Sequence, residues 1–336
     1  MRAVSVLKEL DIQIVGIVDV VTILRLYWHG FRHYSDKRWF QSFPPRPLTF
    51  FSRSSDTEGF SYWYRPHLSS ERNPVLFLHG IGVRRSLFMD AFSSLTRHLQ
   101  IGLYPYSAFL ADLASQHPDV GIIVPEFLFI SSRITSPPLP RPATLSAITH
   151  ILDTHAFSRV VVAAHSYGTA LTAQLLRSSL SPRITATLLV DPIPILLHLP
   201  DVAFNFVYRA PRGANEWLLW YFSSRDPDVA HALGRHFFWT ENVLWREELK
   251  GRVVAVALSG QDQVVNSEAV RRYLTRGESE DGEEPSGHRD WRRRGEGGSD
   301  LEVLWYPELD HAMIFNVRER WMRLMPVLDR FVHLLD

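Results

Sequence analysis

The stretch RVVVAAHSYGTALTAQLLRS, residues 159–178, decides how the rest of the chain is read. Its first six residues, RVVVAA, carry an unbroken apolar run after Arg159, as expected of a strand buried on both faces, and residues 167–178 have the spacing of a helix. Ser166 stands at the junction. A serine placed there sits on a sharp turn that lifts its hydroxyl above the sheet edge, and the residues two before and two after must be small for the backbones to pass. Ala164 and Gly168 meet that condition. Small-x-Ser-x-Gly alone arises by chance in roughly one chain of several of this length. Its position between a strand and a helix gives it weight over the competing reading of Ser166 as an ordinary helix N-cap.

Outward from this junction, strands and helices alternate. Short apolar runs at 74–79, 121–124, 184–190, 252–258 and 301–306 read as strands, with Pro125 expected to stop the second. Residues 47–52 and 59–65 read as a pair of strands around the polar turn SSDTEG. Helices are expected over 85–98, 143–155 and 316–336, and the four prolines in 136–142 mark a loop. Such alternation implies crossover connections and a mostly parallel sheet flanked by helices. Residues 276–300, acidic and then basic and rich in Gly, are expected to be a flexible inserted loop.

A serine hydroxyl needs a base to take its proton and a carboxylate to orient that base. In this strand order the acid and then the histidine follow the serine. His311, just after the last strand in LDHAM, is the candidate base. Asp262, in the turn SGQDQVV after strand 252–258, is the favoured acid, and Asp191, ending strand 184–190, is the alternative. A developing oxyanion needs preorganised N–H donors. Tyr167 supplies one as the residue after the nucleophile. The loop HGIG, residues 79–82, supplies the other, from Ile81 or else Gly82. Gly80 and Gly82 let that loop turn tightly beside a substrate, with His79 next to them. HGIG lacks the spacing and lysine of a phosphate-binding P-loop.

The motifs LFLHGIG, AHSYGT, SGQDQVV and LDHAM, in this order, resemble the α/β-hydrolase superfamily over roughly residues 47–336. Ala164 departs from the glycine usual there. The resemblance implies an α/β-hydrolase fold with its core at 47–191 and 251–336 and a helical cap at 192–250. That cap segment holds four of the chain's ten Trp and five of its 20 Phe, and Trp217, Trp220 and Phe238 are expected to contact substrate beneath it. The implied chemistry is hydrolysis of a carboxylic ester or a lipid-like acyl compound through an acyl-enzyme on Ser166, His311 and Asp262. An acyltransferase would use the same residues, and an idle member would only bind a ligand or tether at a membrane. Epoxide and haloalkane hydrolysis are disfavoured, because members with that chemistry carry Asp at the nucleophile position.

Composition bounds the alternatives. Thirty-six Lys and Arg balance 36 Asp and Glu, which argues against a dominant nucleic-acid partner. The absence of Cys rules out a thiolate nucleophile and a Cys-ligated metal, and neither a metal nor an organic cofactor is expected. Residues 1–46 are expected to be a helical extension. Its apolar run, 12–28, carries Asp19 and follows Lys8, Glu9 and Asp11, which is not the pattern of a cleavable signal peptide. An intracellular protein, cytoplasmic or membrane-associated, is expected. The run is short for a membrane span but ends in Trp28 beside basic residues, so peripheral membrane contact through 12–28 is an expectation to be weighed against packing on the core. Oligomeric state is not legible.

Overall fold

The computed structural model describes residues 20–35, 53–54, 61–82, 102–131, 135–276, 290–294 and 300–334. Among them are ten strands: β1 (Arg32–Ser35), β2 (Arg53–Ser54), β3 (Ser61–Arg65), β4 (Val75–Leu78), β5 (Ile122–Glu126), β6 (Val160–His165), β7 (Ile184–Val190), β8 (Val253–Ser259), β9 (Trp291–Arg294) and β10 (Asp300–Tyr306). They form one sheet in the order β2-β1-β3-β5-β4-β6-β7-β8-β10-β9. From β5 to β10 the six central strands run parallel, while β3 and β9 flank them antiparallel.

The apolar runs explain why the centre is parallel. Every residue of β4 and β6 is buried. Successive side chains go to opposite faces: Leu76, Leu78, Val162 and Ala164 join one core, and Val75, Phe77, Val161 and Ala163 join the other. Helices Arg141–Thr154 and Tyr167–Leu176 cover the first face. Helices Ser107–Gln116 and Met325–Val332 cover the second. The carboxyl ends of β4, β6, β7, β8 and β10 therefore point the same way, where open α/β sheets bind ligands.

Several expectations need correction. Residues 32–35 are not helical but pair with β3, so part of the N-terminal extension belongs to the sheet. Strand β3 pairs with β1 and β5, and residues 53–54 pair with β1, in place of a hairpin. Pro125 lies within β5 opposite Tyr62, so it does not stop that strand. The segment 276–300 is not wholly a loop: 291–294 forms the edge strand β9, with Trp291 buried against the core. The closing helix is split into Arg318–Trp321 and Met325–Val332, the second starting at a proline. Residues 12–19, 47–52, 55–60, 85–98 and the acidic half of 276–300 lie outside the described residues.

Residues 20–28 are helical. Thr22, Ile23 and Leu26 are buried on the second core, and the Arg25 guanidinium donates to Ser107 Oγ at 2.9 Å. Val21, Leu24 and Trp28 face outward. Among the described residues no helix is long and apolar enough to cross a membrane.

Between β7 and β8 the chain leaves the sheet and forms short helices, including Ala214–Leu219, Pro227–Arg235 and Trp239–Asn242. Asp226 caps the second of these by accepting the amides of Asp228 and Val229. The excursion is fastened to helix Tyr167–Leu176 and its end by Gln174 Nε2, which donates to Asn242 Oδ1 at 2.8 Å, and by the Arg177–Glu248 ion pair.

Candidate active site

Ser166 follows β6 with φ 49° and ψ −116°, outside the ordinary helical and extended regions. Its N–H donates to Val190 O at 3.0 Å, and its carbonyl accepts from the Thr169 amide and hydroxyl. Two glycines make the turn sterically possible. A Cβ on Gly168 would lie 2.1 Å from Leu78 O, and one on Gly80 would lie 2.8 Å from Ser166 Cβ.

The loop after β10 brings His311 to this serine. His311 Nε2 lies 2.8 Å from Ser166 Oγ, and Nδ1 lies 2.7 Å from Asp262 Oδ2. An ionised carboxylate only accepts, so Nδ1 carries the hydrogen, and in the neutral ring Nε2 accepts the serine O–H. Asp262 is held by its other oxygen, which accepts the amides of Val264 at 2.7 Å and Val265 at 2.8 Å. Burial alone would lower the His311 pKa, but the carboxylates of Asp262, Asp191 and Asp310 outweigh it and push it up to about 9.

The alternative acid, Asp191, is also here but does not take the His311 ring nitrogen. Its oxygens accept the amides of Ser259 at 3.0 Å and Ala312 at 2.8 Å. Asp191, Asp262 and His311 each offer a ligand-type atom within 4.8 Å of the others. These atoms are already engaged in the hydrogen bonds just described.

Of the donor candidates, the Gly82 N–H is committed to Ile130 O at 3.1 Å. Ile81 and Tyr167 line the cavity beside Ser166 and His311, and neither amide donates to another described residue. His79 and Gly80 shape this loop from inside. His79 is fully buried, donates from Nδ1 to Gly80 O at 2.8 Å and accepts the Phe127 amide at Nε2 at 2.9 Å. The Gly80 amide donates to Tyr106 Oη at 3.1 Å. Neither residue lines the cavity.

That cavity has a volume of about 590 Å³ and lies between the serine and the 192–250 excursion. Leu197, Val202, Phe206, Leu233 and Phe237 give it an apolar wall, and among the described residues no Asp or Glu lines it. Trp217, Trp220 and Phe238 are not part of the wall. Trp217 and Phe238 are more than half exposed, while Trp220 packs edge-on against Trp217 and under the Arg225 guanidinium. An amphipathic helix rich in aromatics does not reveal which of them turn inward.

Sequence reasoning missed Tyr106 and gave no role to His165 or Asp310. His165 immediately precedes the serine and could have been singled out. Tyr106 has no local signal, because it reaches His165 across 59 residues of chain.

A model of the alpha/beta hydrolase family matches residues 75–326. Among solved structures, a candidate lipase from Acinetobacter baumannii AYE shares 13% identity at a TM-score of 0.54, over 94% of this chain and 96% of that one. An esterase, LipW, from Mycobacterium marinum shares 14% at 0.51, over 96% and 87%. A membrane phospholipase A described as a bacterial virulence factor shares 12% at 0.51, over 95% and 92%. At these identities the likeness is one of fold. No curated protein matches the sequence.

Proposed function

This chain belongs to the alpha/beta hydrolase family, and we propose that within it the protein is a serine hydrolase that cleaves a carboxylic ester or lipid-like acyl substrate through an acyl-enzyme. The observation that carries this reading is the unbroken chain of hydrogen bonds from Ser166 Oγ through His311 to Asp262. Neutral His311 takes the serine proton as Oγ attacks the acyl carbon, and Asp262 steadies the imidazolium that forms. The amides of Tyr167 and Ile81 receive the oxyanion, each worth about 2.7–4 kcal/mol of barrier. His311 returns the proton to the leaving alcohol, and water then repeats the sequence to release the acid.

The apolar cavity supports an acyl chain as the bound group. The names of the neighbours in fold, a lipase, an esterase and a phospholipase, agree with ester chemistry. In this reading residues 192–250 are the cap that closes the cavity, and the exposed Trp28, Tyr208 and Trp217 are where a lipid surface would be met.

A fluorophosphonate probe tests the proposal. Labelling of the wild type and none of Ser166→Ala is the expected result, accompanied by turnover of p-nitrophenyl acyl esters. An unlabelled, inactive wild type overturns the proposal in favour of an idle binding member. Labelling with acyl transfer to an added alcohol and no net hydrolysis favours the acyltransferase.

A further inference from the structure

Asp191 is the buried acid that the proposed chemistry leaves unassigned. It follows β7 at φ 44°, a left-handed conformation that a non-glycine residue keeps only where its surroundings impose it. Its N–H donates to Ala257 O at 2.9 Å. Its two carboxylate oxygens hold the amides of Ser259, at the end of β8, and of Ala312, the residue after His311. Ser166 and Ala312 are also at positive φ, and Val190, directly before Asp191, accepts the Ser166 amide. The strained backbones that carry the serine and the histidine thus both meet at Asp191 and its neighbour.

The charge of Asp191 needs an explanation as well. The side chain is fully buried, and no Lys or Arg pairs with it among the described residues. Burial pushes its carboxyl up, but His165, His311 and the Ala312 amide together hold it below the usual carboxylate value, so it is ionised at neutral pH. His165 is no permanent counter-ion. Its Nδ1 accepts the Tyr106 O–H at 2.7 Å, so the hydrogen sits on Nε2, which is 3.8 Å from Asp191 Oδ2 and has no hydrogen-bond partner among the described residues. Burial pushes the His165 pKa down and keeps the ring neutral. The positive charge that answers Asp191 is that of protonated His311; above about pH 9 the ring is neutral until it takes the serine proton, and an interaction that strengthens at that moment accelerates the reaction.

We propose that Asp191 is a positioning residue for His311, fixing the backbone beside it and stabilising its imidazolium together with Asp262. This rests on the reading of Ser166, His311 and Asp262 as the reacting groups. Four titratable groups face His311: Asp262 from the turn after β8, Asp191 from the end of β7, Asp310 from its own loop and His165 from β6. Tyr106 completes the set at one remove, with its oxygen accepting the Gly80 amide while its hydrogen fixes the His165 tautomer.

The test compares the wild type with Asp191→Asn on one p-nitrophenyl ester across pH, after fluorophosphonate labelling has confirmed a reactive wild-type serine. The variant keeps the size but loses the charge. The expected result is a plateau kcat, reached above the limb, lowered about tenfold with little change in KM, and an acid limb of kcat/KM moved down by about one pH unit, since a unit of pKa is a factor of ten. A lowered kcat with an unmoved limb leaves only a structural role and overturns the electrostatic part. An unchanged kcat and limb overturn the whole. If Asp191→Asn does not fold, Asp262→Asn supplies the test. With Asp191 still in place, His311 should continue to titrate above the ordinary histidine value of about 6.5, and a limb at or below it overturns the proposal. A wild type that is neither labelled nor active overturns the triad reading, and this proposal falls with it.

Discussion

Asp310 Oδ1 accepts the Gln263 amide at 2.9 Å while also accepting the His311 amide at 2.6 Å, so one oxygen ties the base-bearing loop to the acid-bearing turn. Asp310→Ala removes that tie, and one of the carboxylates that raise His311, while leaving the proposed Ser166, His311 and Asp262 side chains in place. The expected result is a fall in kcat of about 10- to 100-fold, the scale of a misplacement near 1 Å, with KM little changed. Steady-state kinetics on a protein with wild-type circular dichroism checks it.

The protonation of His311 sets a pH dependence with opposite signs for rate and stability. In the proposed mechanism only neutral His311 accepts the serine proton, so kcat/KM should climb with pH through a limb near 9, the value to which its carboxylates raise it. Stability runs the other way. The folded value lies above the unfolded value of about 6.5, so the stabilisation from protonated His311 is full below that pH and is lost as pH rises through about 9. Melting temperatures across pH 6–10 should fall where the rate rises. In His311→Gln this part of the fall should vanish.

Asp262→Asn leaves the side chain's shape but disturbs the tautomer and orientation of His311. The expected loss is about 10⁴-fold in kcat with a nearly constant KM. Should Asp191→Asn give that loss and Asp262→Asn not, the acid is misassigned.

Trp291 ties the edge strand β9 to the core, where it is 5% exposed and opposite Val303. Trp291→Ala should cost about 3 kcal/mol or more of folding stability. Chemical denaturation measures this, and the turnover of the folded fraction should be unchanged, because Trp291 takes no part in the site. Deleting 278–298, harmless if the segment were all loop, should destabilise for the same reason.

The parts that were legible in the sequence are those with local causes. The run at 160–164 is apolar because both its faces are covered, and the glycine two after Ser166 answers to a clash with the neighbouring strand at Leu78. The parts that were not legible depend on distant partners. The sequence RHYS of β1 looks like solvent-facing chain. Yet His33 lies against Glu126 at 3.1 Å, and Trp63 Nε1 donates to the same carboxylate. The run WRRR of β9 looks like a charged loop until Trp291 turns inward and Arg292 pairs with Asp300 across the strand pair. The wall of the cavity was misjudged in the same way, because aromatic content does not show which face of each cap helix turns inward.

The 192–250 excursion starts and ends on neighbouring strands, with Val190 of β7 paired to Ala257 of β8. The sheet on either side is continuous without it. Most of the residues that shape the cavity and the three proposed reacting residues therefore come from different stretches of chain, joined at two adjacent points. Drift or recombination within that insert can change what is bound while leaving the reacting groups in register. Two proteins with this same core are then free to diverge in diet while keeping a common chemistry.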